Sequence, residues 1–145
     1  MAAATTQEIT AAMAANLSTK FTDPWTVTSY WPISPNIPAL GIEPAHPTSV
    51  DYHEAMNNGA ACLYFIVHAV VQTGADVETQ ALLQSLLDVP GASDNSVAGA
   101  LETDTTLGGI VAGLQTVKCS GLVPYNVKGS LEASLGLQFT VKVTV

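Results

Sequence analysis

The chain has 145 residues, enough for one domain with a sizeable core, and 48% of them are hydrophobic. Only 11% are charged, the net charge is −8, and the four cations are all lysines (Lys20, Lys118, Lys128, Lys142) spread along the chain. Gripping a phosphate backbone takes several cations on one surface, so sequence reading of nucleic acid and phosphate binding are excluded as primary roles.

A usual domain carries ~25% charged residues. The scarcity here points either to surface covered by other subunits or to a neutral surface rich in Thr, Ser and Asn. The start, MAAATTQEIT, has neither the basic nor the apolar region of a secretory leader. The longest apolar run, residues 60–71, contains His68 and falls well short of the ~20 residues a membrane helix needs, so no membrane is expected.

In chain order, Thr5-Thr6-Gln7-Glu8 forms a capping box, S/T-x-x-E, and predicts a helix start. Ile9, Met13 and Leu17 then recur every four residues, a narrow stripe suited to docking on a sheet. Residues 25–31, WTVTSYW, are β-branched and aromatic and predict a strand. Six prolines (Pro24, Pro32, Pro35, Pro38, Pro44, Pro47) frame the next region, which reads as an extended loop with a short edge strand at residues 39–42. Such a segment is either an ordinary connector or one that orders at little entropic cost against a partner.

Residues 50–58 are polar and turn-like, and Asn58-Gly59 is a turn signal. Residues 60–72 follow, apolar in both registers: Leu63, Phe65, Val67, Ala69 and Val71 on one face, Cys62, Tyr64, Ile66, His68 and Val70 on the other. A strand apolar on both sides belongs in the middle of a sheet. Asp76 is a good cap for a helix over residues 77–89, ended by Pro90-Gly91. A short helix over 96–101 has Ser96 as its cap, and residues 107–111 form one helical turn or a tight bend. Residues 114–123 predict a strand, and 124–130 a loop or hairpin. The last strand, 135–145, alternates cleanly, with Leu135, Leu137, Phe139, Val141 and Val143 on one face. Pattern alone therefore gives an α/β or α+β domain over residues 1–145, with no internal repeat and no linker.

Candidate chemistry is sparse. His53-Glu54 begins an H-E-x-x-H zinc motif, but position 57 is Asn. His46, Asp51, His53 and Glu54 are close in sequence and of ligating type, though four such residues in a polar loop are more simply solvated. His68, among apolar neighbours, reads as a satisfied core or interface histidine. Cys62 and Cys119 lie in strands, away from the helix N-termini that stabilise thiolates, and read either as buried reduced thiols or as a pair that meets across the sheet. There is no G-x-S-x-G elbow and no phosphate loop around Gly108-Gly109. Glu102 and Asp104 read as solvated carboxylates. No catalytic residue, cofactor or metal is expected.

One ordered set of motifs is more specific. Tyr30-Trp31-Pro32 is followed by the Pro/Ala segment 35–40. Asp51-Tyr52-His53-Glu54-Ala55-Met56 precedes the apolar strand. Ala100-Leu101-Glu102-Thr103-Asp104 leads to Thr106-Leu107-Gly108-Gly109, and Phe139-Thr140-Val141 lies in the last strand. In this order, over roughly residues 5–145, the chain resembles the small neck and tail-end proteins of long-tailed (siphovirus-type) actinobacteriophages, the tail terminators above all. Other neck proteins and the tail tube subunit are its alternatives.

The resemblance implies an α+β fold, a mostly antiparallel sheet with two or three helices packed against it. It implies a structural virion protein and not an enzyme: a homo-oligomeric, hexameric ring at the head-proximal end of the tail tube, which stops tube growth. Its partners would be the tail tube protein and the head–tail connector proteins. DNA would pass through its lumen without sequence-specific binding, which suits an acidic chain. Tyr30, Trp31, Pro32, Pro35, Tyr52 and His53, with Trp25, are the candidate subunit contacts, since aromatics are enriched at interface cores. Trp25 and one of Tyr30 or Trp31 fit the domain core equally well.

Overall fold

The computed structural model describes residues 4–22, 25–32, 38–45, 50–51, 61–72, 77–90, 96–120, 123–125 and 134–145. Helix α1 (Thr6–Lys20) starts at the expected capping box: Glu8 N–H donates to Thr5 Oγ1 at 3.2 Å, and Thr5 N–H to Glu8 Oε2 at 3.0 Å. Ile9, Met13 and Leu17 are fully buried, each worth on the order of 2 kcal/mol.

Strands β1 (Thr26–Val27), β2 (Ala39–Pro44), β3 (Val50–Asp51) and β4 (Cys62–Gln72) follow. Helices α2 (Val77–Leu86) and α3 (Val97–Leu101) come next, then a 3-10 turn, Glu102–Asp104. Strands β5 (Gly113–Cys119), β6 (Val123–Tyr125) and β7 (Ser134–Thr144) complete the order. The fold is α+β: a mostly antiparallel sheet with three helices.

The sheet runs β1-β2-β4-β7-β5, with β3 also on β4 and β6 also on β7. Strand β4 is central, as its two apolar registers require. It pairs antiparallel with β7 over its whole length, from Cys62 opposite Thr144 to Gln72 opposite Ser134. Phe65, Val67, Ala69 and Val71 of β4, Leu137, Phe139, Val141 and Val143 of β7, and Leu40 and Ile42 of β2 share one face. The helices cover that face with Ile9, Met13, Leu17, Leu83, Leu86, Val97, Ala100 and Leu101.

Several boundaries differ from the sequence reading. Strand β1 is two residues long, where residues 25–31 were expected to be extended throughout. The chain bends at Ser29 and Tyr30 and carries Trp31 onto the sheet. Strand β2 is an interior strand, not an edge: β1 lies parallel on one side of it and β4 antiparallel on the other. Its first residue follows Pro38, whose carbonyl, the one group proline can offer a ladder, accepts from Thr26 N–H at 3.0 Å.

Helix α2 stops at Leu86, three residues before the expected end at Val89. Leu87 and Asp88 donate back to Gln84 and Ser85, a tightened last turn, and Pro90 disfavours helical geometry at the residue before it. The expected strand 114–123 divides into β5 and β6, with a bulge between Thr116 and Lys118. Asp76, the expected cap of α2, lies outside the described residues.

The short helix α3 forms as expected, with Ser96 Oγ accepting from Gly99 N–H at 3.0 Å. Residues 107–109 make the tight bend, with positive φ at Leu107 (52°), Gly108 (75°) and Gly109 (89°). Leu107 holds that unfavourable conformation because its side chain is buried. Both cysteines are free. Cys62 pairs with Thr144 and Cys119 with Phe139, on opposite sides of β7 and several residues apart along it, so no disulfide can join them.

Candidate functional site

Among the described residues, none of the buried helical side chains joins the opposite face of the sheet. Ala39, Gly41 and Glu43 of β2 lie there with Tyr64, Ile66, His68 and Val70 of β4 and Gln138, Thr140 and Lys142 of β7. Tyr64, Ile66, Gln138, Thr140 and Lys142 are half-buried. The polar–apolar alternation of β7 produces its share of this face, since from Gln138 to Thr144 every second residue is a Gln, Thr or Lys.

A segment of chain, residues 28–32, crosses this face. Thr28 N–H donates to Leu40 O at 2.9 Å, and the Thr28 hydroxyl donates to the Tyr30 carbonyl. Trp31 then lies over Gly41. A Cβ at Gly41 would stand 2.5 Å from Trp31 Cε3 and 2.8 Å from the Tyr30 carbonyl oxygen, so the indole occupies the space a side chain would take. Gly41 is directly opposite His68. The indole and imidazole stack, with centroids 4.6 Å apart and planes at 26°.

His68 is 4% exposed, and its Nε2 is 2.7 Å from Glu43 Oε1. A carboxylate only accepts, so Nε2–H is the donor. With Nε2 committed to Glu43 and one ring face covered by Trp31, the pair is built to hold a position. His68 is thus the satisfied histidine that its apolar neighbours implied.

The candidate contacts separate. Tyr30 is the outlier, 62% exposed beside the half-buried Trp31 and Pro32. Trp25 is half-buried and packs against the core, edge-on to Phe21 at 5.2 Å. Pro35, Tyr52 and His53 lie outside the described residues, as do His46 and Glu54. Asp51 is in β3, and among the described residues no group of three or more ligating side chains could hold a metal. Gly41 and Glu43 are members of the cluster that sequence reasoning missed. Their signal was a Gly and an acid two apart in a strand-like stretch, hence on one face, but their partner strand was not readable.

The carboxylates at residues 102–104 are more structured than a solvated loop. Asp104 accepts from Gly108 N–H at 2.8 Å, Thr106 Oγ1 at 2.9 Å and Thr106 N–H at 3.1 Å. These donors, the Gly108 N–H foremost, hold its carboxyl below the usual aspartate range, while burial pushes Glu102 up. Burial also pushes the Cys119 thiol up to about 11, which keeps it protonated and unreactive.

Among the described residues, no helix is long and apolar enough to cross a membrane. No family model and no curated protein matches this chain.

Proposed function

We propose that this protein is a structural subunit of a long-tailed phage particle: a tail terminator whose ring caps the head-proximal end of the tail tube, stops tube growth and joins the tail to the head connector. The observation that carries the proposal is the position of Tyr30. A large aromatic, 62% exposed, stands beside a tryptophan anchored on a sheet face that, among the described residues, no buried helical side chain joins. Exposed aromatics next to a rigid anchor are the usual core of a protein interface.

The ordered motifs from Tyr30-Trp31-Pro32 to Phe139-Thr140-Val141 support the same reading, as does the composition. A chain of net charge −8 lines a channel through which DNA slides without sticking. A ring of identical subunits closes by rotation through one heterologous interface, so each copy presents two different surfaces to its neighbours. The role requires no reaction, cofactor or metal.

The test is the location of the chain in the intact particle, by labelling or image reconstruction, together with the mass of the purified protein alone and with tube protein. A single ring at the head-proximal end of the tail is expected. Stacked tubes would assign the chain to the tube, and binding only to portal-side proteins would assign it to the connector. A chain absent from the particle would end the proposal.

A further inference from the structure

We infer that the extra residue at Val117 is an edge guard: it interrupts β5 and keeps this strand from pairing with a strand of another chain. The inference does not rest on the ring reading, because it concerns an edge that is kept out of association.

Among the described residues, one end of the sheet is β1, two residues long, and the other is β5, seven residues long. Gln115, Val117 and Lys118 of β5 are exposed, Val117 by 54%, so these side chains meet solvent. A strand of that length at an open end offers a row of main-chain donors and acceptors to any strand that approaches.

The ladder with β7 shows why the bulge forms. Gly113 to Thr116 pair in step, Thr116 standing opposite Val141, and the next paired residue is Lys118, opposite Thr140. Val117 is the residue passed over. An unbroken ladder would set Val117 opposite Thr140 and Lys118 opposite Phe139. Phe139 is in the core, and burying an ammonium there carries a heavy desolvation penalty. Cys119, which packs against the core on the same face as Leu114, would turn outward, because residues an odd number apart in a regular strand face opposite ways. The charge of Lys118 and the core position of Cys119 therefore force the bulge.

Val117 itself adds nothing to the core. Its deletion would leave every pairing of β5, from Gly113 opposite Thr144 to Cys119 opposite Phe139, on the same partners and faces. What the residue changes is the outer side of β5, where a bulge bends the strand, increases its twist and puts its main-chain groups out of line for a partner. Lys118 adds the charge that guarded edges commonly carry.

The experiment compares the full chain with its Val117 deletion and with Lys118→Val. The deletion is expected to keep the fold, with a Tm by calorimetry no lower than the parent's. It should self-associate at least about tenfold more tightly in sedimentation, the worth of an added main-chain bond or two. Hydrogen exchange of the associated protein should show new protection at residues 114–118. Lys118→Val, which removes the charge that opposes a regular ladder, should also associate more tightly, in smaller measure.

A folded deletion protein that associates no more than the parent overturns the inference, as does association without added protection in β5. A parent whose β5 amides become protected as its concentration rises overturns it too. If the deletion protein does not fold, Lys118→Val decides, and association equal to the parent's overturns the guard.

Discussion

Replacing Gly41 by alanine tests the Trp31 seat through the sign of its effect. In an ordinary strand Gly→Ala stabilises by ~0.4–1 kcal/mol, because the unfolded chain loses freedom. Here the added carbon would sit 2.5 Å from Trp31 Cε3 and 2.8 Å from the Tyr30 carbonyl oxygen. Carbon atoms rest at ~3.5–4.0 Å, so the segment must lift by about 1 Å. Neither contact is the free end of a flexible side chain: one is an indole ring and the other is backbone. Overpacking of this kind costs ~1–3 kcal/mol, and a disturbed aromatic stack costs a further ~0.5–1.5 kcal/mol. Set against the usual gain, the net loss is about 2 kcal/mol. For a chain of this size that lowers Tm by ~4–8 °C. Calorimetry of Gly41→Ala gives the shift, and Trp31 emission in the Trp25→Phe background shows whether the indole has left its seat. A Tm equal to or above that of the parent, with unchanged emission, would refute the packing described for this face.

Three further outcomes are expected. Phe65→Ala, at a fully interior position of β4, should lose ~3–5 kcal/mol and give little folded protein by circular dichroism. Ser96→Ala removes both the cap of α3 and the bond from Ser96 Oγ to the Asp88 carbonyl. It should lose ~1–2 kcal/mol in urea unfolding, with an unchanged m-value. Asp104→Ala should be less stable than the parent at neutral pH. Because the folded carboxyl lies below its ordinary value of 3.8, its stabilisation is present above that value and fades as pH falls through it. The gap between the two proteins should therefore narrow in acid, and a gap that widens would contradict the assignment.

Much of the framework was legible because the deciding forces are local or periodic. The Thr5–Glu8 box fixes the start of α1 by its own hydrogen bonds. Strict alternation fixes the face of β7, and the doubly apolar register places β4 at the centre. What escaped depends on partners distant in sequence. Nothing in WTVTSYW says that pairing ends after Val27, because the bend serves to seat Trp31 on a glycine and a histidine from two other strands. Prolines made residues 39–42 look like an edge, yet only Pro44 stands inside β2, at its last position. Aromatic character, the ground for the candidate contacts other than the prolines, is blind to exposure, and it gathers Tyr30 together with Trp25, which packs on Phe21.

The central pair of the sheet also sets the order of events when the chain is made. Strand β4 finds its full-length partner in β7, and the nearest residues in that ladder, Gln72 and Ser134, are separated by about 60 residues. At ~5–20 residues per second, a ribosome needs roughly 3–12 s to reach the start of the missing strand after β4 is complete. During that interval an eleven-residue strand apolar on both sides is exposed along one edge. Contacts of such long range also make folding slow once synthesis ends. The yield of folded protein therefore depends on how β4 is sheltered before β7 arrives, and slower translation or lower temperature after Gln72 acts on that interval without altering any contact of the finished fold.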